Sequence, residues 1–446
     1  MRGLSNGWGE VCRASLLGSL IFIASPGARA AEYGYSLEYR GEQSDNITFA
    51  RTNVLSDWVN VGRATLYLRD PTAPNLRTNI FLDASYENYS KNTIADRTLA
   101  TLNSNITWLI MPERLSWVVE DYYGQISQNI LAANSPNNQQ NVNVVSTGPD
   151  ASLRLGPVDS LTTSLRVGKY NAEQVLPTDP NQDSNRYYGL LGWRHTASAT
   201  TNLSLNYDSM RRVFQDTTTN TNYDLHNIYF RVESRRTARS TVSIDLGKSR
   251  VVLDGFNAID GNLVRVLYAR RMGVASNLQI RANSLLTDTS NAILSSGGVS
   301  SVTTPIGTIG ASNIYRLKEV EATYTQQQGY ISNRLRLFAQ RQNYEGSLLD
   351  LDRAGVNLDL GFGLTDTLSG VVFGSYTNSH YIDQLFIDRD GQVGVRFAYR
   401  SRPRVLFGLE ARKTNRNSSD ATRNYDENRL IVSIAYQSIA FHINPY

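Results

Sequence analysis

Residues 391–412 read GQVGVRFAYRSRPRVLFGLEAR, and the alternation in this stretch constrains the fold more than any short motif does. Val393, Val395, Phe397 and Tyr399 alternate with Gly394, Arg396, Ala398 and Arg400. After Ser-Arg-Pro-Arg, Val405, Phe407, Leu409 and Ala411 alternate with Leu406, Gly408, Glu410 and Arg412. A period of two puts successive side chains on opposite faces of a strand. The stretch is therefore a hairpin with one apolar face and one face that tolerates charge. The same period recurs along the chain. It places Trp58, Gly62, Ala64, Leu66 and Leu68 together, then Leu203, Leu205 and Tyr207, then Ile228, Phe230 and Val232. Further on come Leu335, Leu337 and Ala339, and Leu430, Val432, Ile434 and Tyr436. Helical spacing is nowhere sustained.

The connections between these segments alternate in length. Short ones read PTAPN (71–75), MPER (111–114), PVDS (157–160), ASAT (197–200), TARS (237–240), VASN (274–277), YIS (330–332), TDT (365–367) and RPR (402–404). Between them lie longer polar stretches, such as 129–141, 177–185, 215–224 and 416–427. A soluble all-β domain has no reason to gather its long connections at one end. It would also have to hide some twenty one-sided strands in one core. A barrel that spans an outer membrane has short turns on one side and long loops on the other. With lipid as the outer solvent every backbone group must be paired, so the sheet closes on itself. The expected fold is all-β, a transmembrane antiparallel up-and-down β-barrel of about 20 strands (range 16–20) with both chain ends on the short-turn side. Gly394 and Gly408 fit tight, strongly tilted strands, and Tyr and Trp near strand ends fit interfacial girdles.

The first residues add an address. Arg2 and Arg13 accompany the apolar run ASLLGSLIFIA (14–24), and SPGARA ends in small residues. That is the pattern of a secretory signal peptide over 1–30, cleaved after Ala30, followed by a barrel over 31–446. Eleven residues are too few for a transmembrane helix, which needs about 20. Cys12 is the one cysteine and precedes the apolar run, so no disulfide holds the exported part. Strand character starts at YGYSLEYR (33–40), directly after the expected cleavage site, which predicts no plug domain.

If the Val/Leu/Phe face points to lipid, twelve charged residues face the lumen. They are Arg231, Glu233, Arg235, Arg265, Arg281, Glu319, Glu321, Arg334, Arg336, Arg396, Glu410 and Arg412. One reading is a set of crosslinks that keeps a wide barrel round; the other is a wall that attracts anions and focuses them along the axis. Only five basic residues are lysines, Lys91, Lys169, Lys248, Lys318 and Lys413. Arginine suits enclosed, bidentate pairing better than lysine does. The segment Thr289–Tyr315 has no charge at all, and either folds inward to narrow the pore or forms a surface loop or extra hairpin.

Catalytic patterns are missing. His195, His226, His380 and His442 are scattered, and no HExxH, GxSxG, paired-cysteine or glycine-rich phosphate motif occurs. No enzyme activity and no cofactor are expected. DRDG (388–391) hints at a calcium loop through Asp388 and Asp390, but the full ligand pattern is absent and a polar turn is the simpler reading; IDGN (259–262) has the same status. A net charge of +4 without clustering excludes a nucleic-acid footprint. The expected partners are outer-membrane lipid and lipopolysaccharide and the barrel-assembly machinery.

Two stretches, MPERLSWVVEDYYGQ (111–125) and QQNVNVVSTGPDASLRLGP (139–157), resemble the outer-membrane β-barrel proteins found with PEP-CTERM and exopolysaccharide systems of Gram-negative bacteria. The resemblance is most specific around Trp117, Asp121, Asn141, Thr147, Gly148, Pro149 and Leu155. It implies location in the outer membrane and a part in polysaccharide export or surface assembly, with polysaccharide and its export proteins as further partners. It supplies no catalytic or binding residues. A general diffusion porin and a non-conducting scaffold or adhesin are the alternatives.

Overall fold

The structure, a computed structural model, describes residues 31–438 except 130, 134, 176–180, 297–313 and 346. The expected signal segment 1–30 lies outside the described residues. Twenty strands follow one another. The first five are β1 (Glu32–Ser44), β2 (Asp57–Asp70), β3 (Leu76–Tyr89), β4 (Arg97–Met111) and β5 (Leu115–Ser127). Next come β6 (Gln139–Arg154), β7 (Asp159–Ala172), β8 (Ser184–Ser198), β9 (Thr201–Phe214) and β10 (Tyr223–Thr237). β11 (Ser240–Leu253), β12 (Ile259–Arg271) and β13 (Ser276–Thr287) lead to a helix, α1 (Thr289–Ser296). The circuit continues with β14 (Tyr315–Gln328), β15 (Ile331–Tyr344), β16 (Leu351–Gly363) and β17 (Leu368–Tyr381). β18 (Phe386–Arg402), β19 (Val405–Ser418) and β20 (Tyr425–Gln437) complete it.

Each strand pairs antiparallel with the next, and β1 pairs with β20 from Ser36↔Gln437 to Ser44↔Arg429. The sheet is thus a closed up-and-down barrel of 20 strands with no free edge, as the sequence predicts. The connections at one end have two to five residues; those at the other run from four to twenty-seven. All nine short turns fall where the sequence places them. A strand of 14 residues is about 45 Å long at ~3.3 Å per residue, and a tilt of ~45° lets it cross a hydrocarbon layer of about 30 Å.

The two faces differ as the alternation demands. Leu205, Tyr207, Ile228, Phe230, Val393, Phe397, Phe407, Leu409, Leu430 and Val432 stand exposed on the outside. Aromatic rings mark the short-turn end of this face, among them Tyr33, Trp108, Trp117, Trp193, Tyr330 and Tyr399, with Tyr35 and Tyr436 6.3 Å apart across the closing seam. Trp58, Tyr86 and Tyr187 lie toward the long-loop end. Such amphipathic rings suit both boundaries of an apolar layer.

The inner face departs from the uniformly polar wall that the sequence suggests. Toward the long loops it carries apolar clusters: Ile47, Val59, Val61, Tyr89 and Ile94 in one, and Met210, Phe214, Tyr223, Leu225, Val251, Leu286 and Ile314 in another. Loops fold inward onto these patches, so the upper interior has a core of its own. The glycine reading also needs refinement. A Cβ on Gly394 would lie 2.3 Å from Cζ of Phe373, so the residue is small because a neighbouring strand's ring lies over it. At Gly408 the conflict is with Oγ of Ser433, at 2.4 Å.

Candidate functional site: the barrel interior

Beneath α1 lies a cavity of about 1220 Å³ between the walls of β8–β15. It runs from Asn291, Ala292 and Leu294 on the helix to Ala199 and Thr200 in a short turn, so it extends to the short-turn end. Nine of the twelve charged residues singled out from the sequence line it: Arg231, Glu233, Arg235, Arg265, Arg281, Glu319, Glu321, Arg334 and Arg336. Arg396, Glu410 and Arg412 do not. They form a separate group on β18 and β19, with Glu410 2.6 Å from Arg396 and 3.5 Å from Arg412.

The register explains which charges meet. Arg231 and Asp245 are direct cross-strand partners, as are Asp245 and Arg265. Arg231 grips Asp245 through Nε at 2.6 Å and Nη2 at 2.8 Å, and Arg265 approaches the same carboxylate at 3.6 Å. Arg336 donates two hydrogen bonds to Oε2 of Glu321, at 2.6 and 2.8 Å. Asn283 donates to Glu319 at 2.5 Å. Glu233 is held loosely, 3.7 Å from Arg194 and 3.9 Å from Arg231. Among the described residues, Arg235, Arg281 and Arg334 have no carboxylate within 4.0 Å.

Sequence reasoning missed Arg186, Arg194, Asp208 and Asp245, which complete the lining. Their signal was present, since each occupies the polar phase of an alternating segment. The total is eight arginines against five carboxylates. Some of these arginines are paired with carboxylates and others are not.

On β18–β20 and β1 further arginines pair with carboxylates. Asp388, fully buried, lies 3.2 Å from Arg416 and accepts from Arg423 at 2.5 Å, and Asp390 accepts from Arg416 at 2.6 Å. DRDG is thus neither a calcium loop nor a polar turn but part of β18, with both carboxylates committed to guanidinium groups. IDGN likewise opens β12, and its Asp260 lies 3.8 Å from Arg250. Among the described residues no group of three or more His, Cys, Asp or Glu side chains could hold a metal ion.

The helix that opens the uncharged segment after β13, α1, turns inward. Asp288 caps α1 by accepting from the Asn291 N–H at 2.7 Å. Its other oxygen accepts from Nη1 of Arg212 at 2.9 Å and from the Tyr223 hydroxyl. Arg212 is fully buried, donates to Ser184 at 2.9 Å, and stacks on the rings of Tyr170 and Phe214 at 4.8 and 4.7 Å. Burial pushes the Asp288 carboxyl up, but Arg212, the Tyr223 hydroxyl and the Asn291 N–H outweigh it, and the net shift is below the ordinary carboxylate value. Ile293 then enters a pocket of Tyr122, Ile126, Val142, Val144 and Tyr170 on β5–β7, across the barrel from β13. The β5–β6 loop crosses too. Leu131 packs against Tyr315, Tyr344, Leu349, Leu351 and Tyr381, and its carbonyl accepts from Arg423. Of the two courses open to residues 289–315, α1 takes the inward one; residues 297–313 lie outside the described set.

The stretch that carries the family resemblance forms a tight join of β5, β6 and β7. Trp117 donates through its indole N–H to Thr147 at 2.8 Å, and Thr147 donates to the Val118 carbonyl at 3.0 Å. At Gly148 the backbone has φ +157°, and a Cβ there would lie 2.0 Å from the Leu165 carbonyl oxygen.

No family model matches the chain, and no curated protein does. Solved structures share its general outline. The outer membrane protein OpdK of Pseudomonas aeruginosa is 11% identical, with 92% of this chain and 99% of that one covered and a TM-score of 0.39. OccAB3 of Acinetobacter baumannii is 8% identical over 92% and 100% of the two chains, with a TM-score of 0.37. The siderophore receptor PirA of Pseudomonas aeruginosa is 7% identical over 91% and 80%, with a TM-score of 0.46. The closed 20-strand pairing, not these scores, carries the fold.

Proposed function

We propose that the chain is an outer-membrane channel that favours anionic solutes, and that its cargo is an anionic carbohydrate polymer or its fragments. Two features support the membrane: a closed barrel without edges, and an outer face whose exposed residues are Leu, Val, Ile, Phe and Tyr between aromatic rims. A water-soluble protein rarely exposes contiguous apolar patches beyond a few hundred Å². Export through a cleaved signal over residues 1–30, assembly by the barrel machinery and contact with lipopolysaccharide belong to the same reading. N-terminal sequencing of the mature protein checks the cleavage after Ala30.

The observation that carries the selectivity is the cavity's excess of guanidinium groups, with Arg235, Arg281 and Arg334 unmatched by carboxylates. Fixed positive charge in a low-dielectric tube concentrates anions and repels cations. The polysaccharide link rests on the resemblance around Trp117 and Gly148, and the charge excess is the chemistry that such a cargo calls for. The test is conductance in a planar bilayer. The expected result is a reversal potential that favours anions and falls when Arg281→Ala and Arg334→Ala are combined. Block by alginate, but not by glucose, separates a polymer exporter from a general porin. Absence of conductance would leave a scaffold or adhesin as the better reading.

A further inference from the structure

At the roof of the cavity two arginines face each other, and one carboxylate, Asp288, pairs with Arg212. Arg186 and Arg212 are direct cross-strand partners on β8 and β9. Arg212 is satisfied by Asp288. Arg186 is not: only 8% of it is exposed, and its hydrogen bonds go to neutral acceptors, the Asn291 side-chain oxygen at 2.9 Å and the Met210 sulfur at 3.0 Å. Among the described residues no carboxylate lies within 4.0 Å of it. Like charges directly opposite across a sheet destabilise it, and a buried cation needs a matching anion. A thioether is a weak acceptor and an amide carries no charge, so this guanidinium is short of one negative charge. It also lines the cavity, where a solute arriving from the short-turn end would meet it.

We propose that Arg186 is an oxyanion seat for the transported solute, and that Asn291 on α1 is a placeholder which a carboxylate or phosphate group displaces. An amide exchanged for a carboxylate or phosphate replaces a bond from a cation to a neutral acceptor by one between opposite charges. The exchange also removes one of the ties that hold α1 over the cavity, so the ligand loosens the roof as it binds. The role of the seat in conduction rests on the channel reading above; the seat itself does not.

Calorimetry on the full-length barrel in detergent, with potassium glucuronate, glucose 6-phosphate and glucose, reads the binding. Saturable heats are expected for the first two and none for glucose, and whichever of the two anions binds more tightly identifies the preferred group. Arg186→Gln is expected to weaken binding at least about tenfold, the worth of one charge-assisted hydrogen bond. Arg186→Lys keeps part of it, and Asn291→Ala tightens it by removing the competitor. In a planar bilayer, Asn291→Ala alone is expected to raise the open conductance as glucuronate does for the unaltered protein. Unchanged affinity in Arg186→Gln, with normal heat-dependent gel mobility, overturns the seat, as does an absence of heat with both anions. If the unaltered protein binds glucuronate through Arg186 yet conducts no ions, the channel reading fails and the seat stands.

Discussion

Asp288→Asn, introduced into an Ile293→Cys background, tests whether the buried ion pair docks α1. Asparagine caps a helix as well as aspartate does, but its amide nitrogen then faces Arg212 and the Tyr223 hydroxyl and can only donate there, so the change removes the charge and one acceptor. Arg212 is then left fully buried without its carboxylate. Breaking one side of a buried pair costs about 3–5 kcal/mol, and here the cost falls on the docked state of the helix. At about 1.4 kcal/mol per decade, the undocked population rises roughly 150- to 5,000-fold, up to full release. Ile293 is fully buried against β5–β7, and the sole native cysteine, Cys12, precedes the barrel. The rate at which a maleimide labels the introduced thiol therefore follows undocking. Asp216→Asn, which alters an exposed carboxylate in the β9–β10 loop, serves as the control and leaves the rate unchanged. Adding Arg212→Met to Asp288→Asn removes the stranded cation, and the rate is expected to fall back toward that of the parent. Labelling within about twofold of the parent in Asp288→Asn, in a barrel that keeps its heat-dependent mobility, would refute the latch.

Acid reaches the same latch by another route. Because the Asp288 carboxyl is held below its ordinary value, its contribution is complete above about pH 3.9 and is lost only as pH falls further. Release of α1 is therefore expected only below about pH 4, as an acid step in single-channel conductance that Asp288→Asn abolishes; a step near neutrality that Asp288→Asn abolishes contradicts the assignment. Gly148→Ala forces a Cβ into the Leu165 carbonyl at a backbone angle that other residues rarely adopt, so a loss of about 1–3 kcal/mol is expected, read as a lower temperature for the gel mobility shift. Trp117→Phe removes the indole donor to Thr147 but keeps the ring, and is expected to cost about 1 kcal/mol in the same assay.

What the sequence discloses here follows from which physics is local. Alternation is local, so Val393 through Tyr399 and Val405 through Ala411 announce their outward face, and the turns at PTAPN and RPR announce the short end. Closure follows from lipid as solvent, and β1–β20 pairing needs no motif of its own. The partners of charges are not local. Nothing in the neighbourhood of Asp388 indicates that Arg416 and Arg423 converge on it, which is why DRDG reads as a turn although it lies in a strand. Arg186 and Arg212 sit 26 positions apart, and their opposition depends on a register that the β8–β9 turn sets. The apolar inner patches were legible only in part. Val59 and Val61 sit in the polar phase of β2, and this break in the alternation is the sequence trace of a loop packed behind it.

That break divides the interior in two. Toward the long loops, Val59, Val61, Val142, Val144, Leu225 and Val251 face inward and hold α1 and inward-turned loop residues. Toward the short turns the inner face is charged, and Arg231, Arg265 and Arg336 hold carboxylates on their own wall. An interior built only for rigidity would match each arginine with an acid, as Asp388, Asp390, Glu42 and Glu427 do on β18–β20 and β1. Among the described residues the β8–β15 wall leaves Arg186, Arg235, Arg281 and Arg334 without a carboxylate instead, and of these the buried Arg186 carries a desolvation cost for it. In the channel proposed above, the same asymmetry puts these arginines on the short-turn side of α1. A solute entering from that side meets the unmatched arginines before it meets the helix.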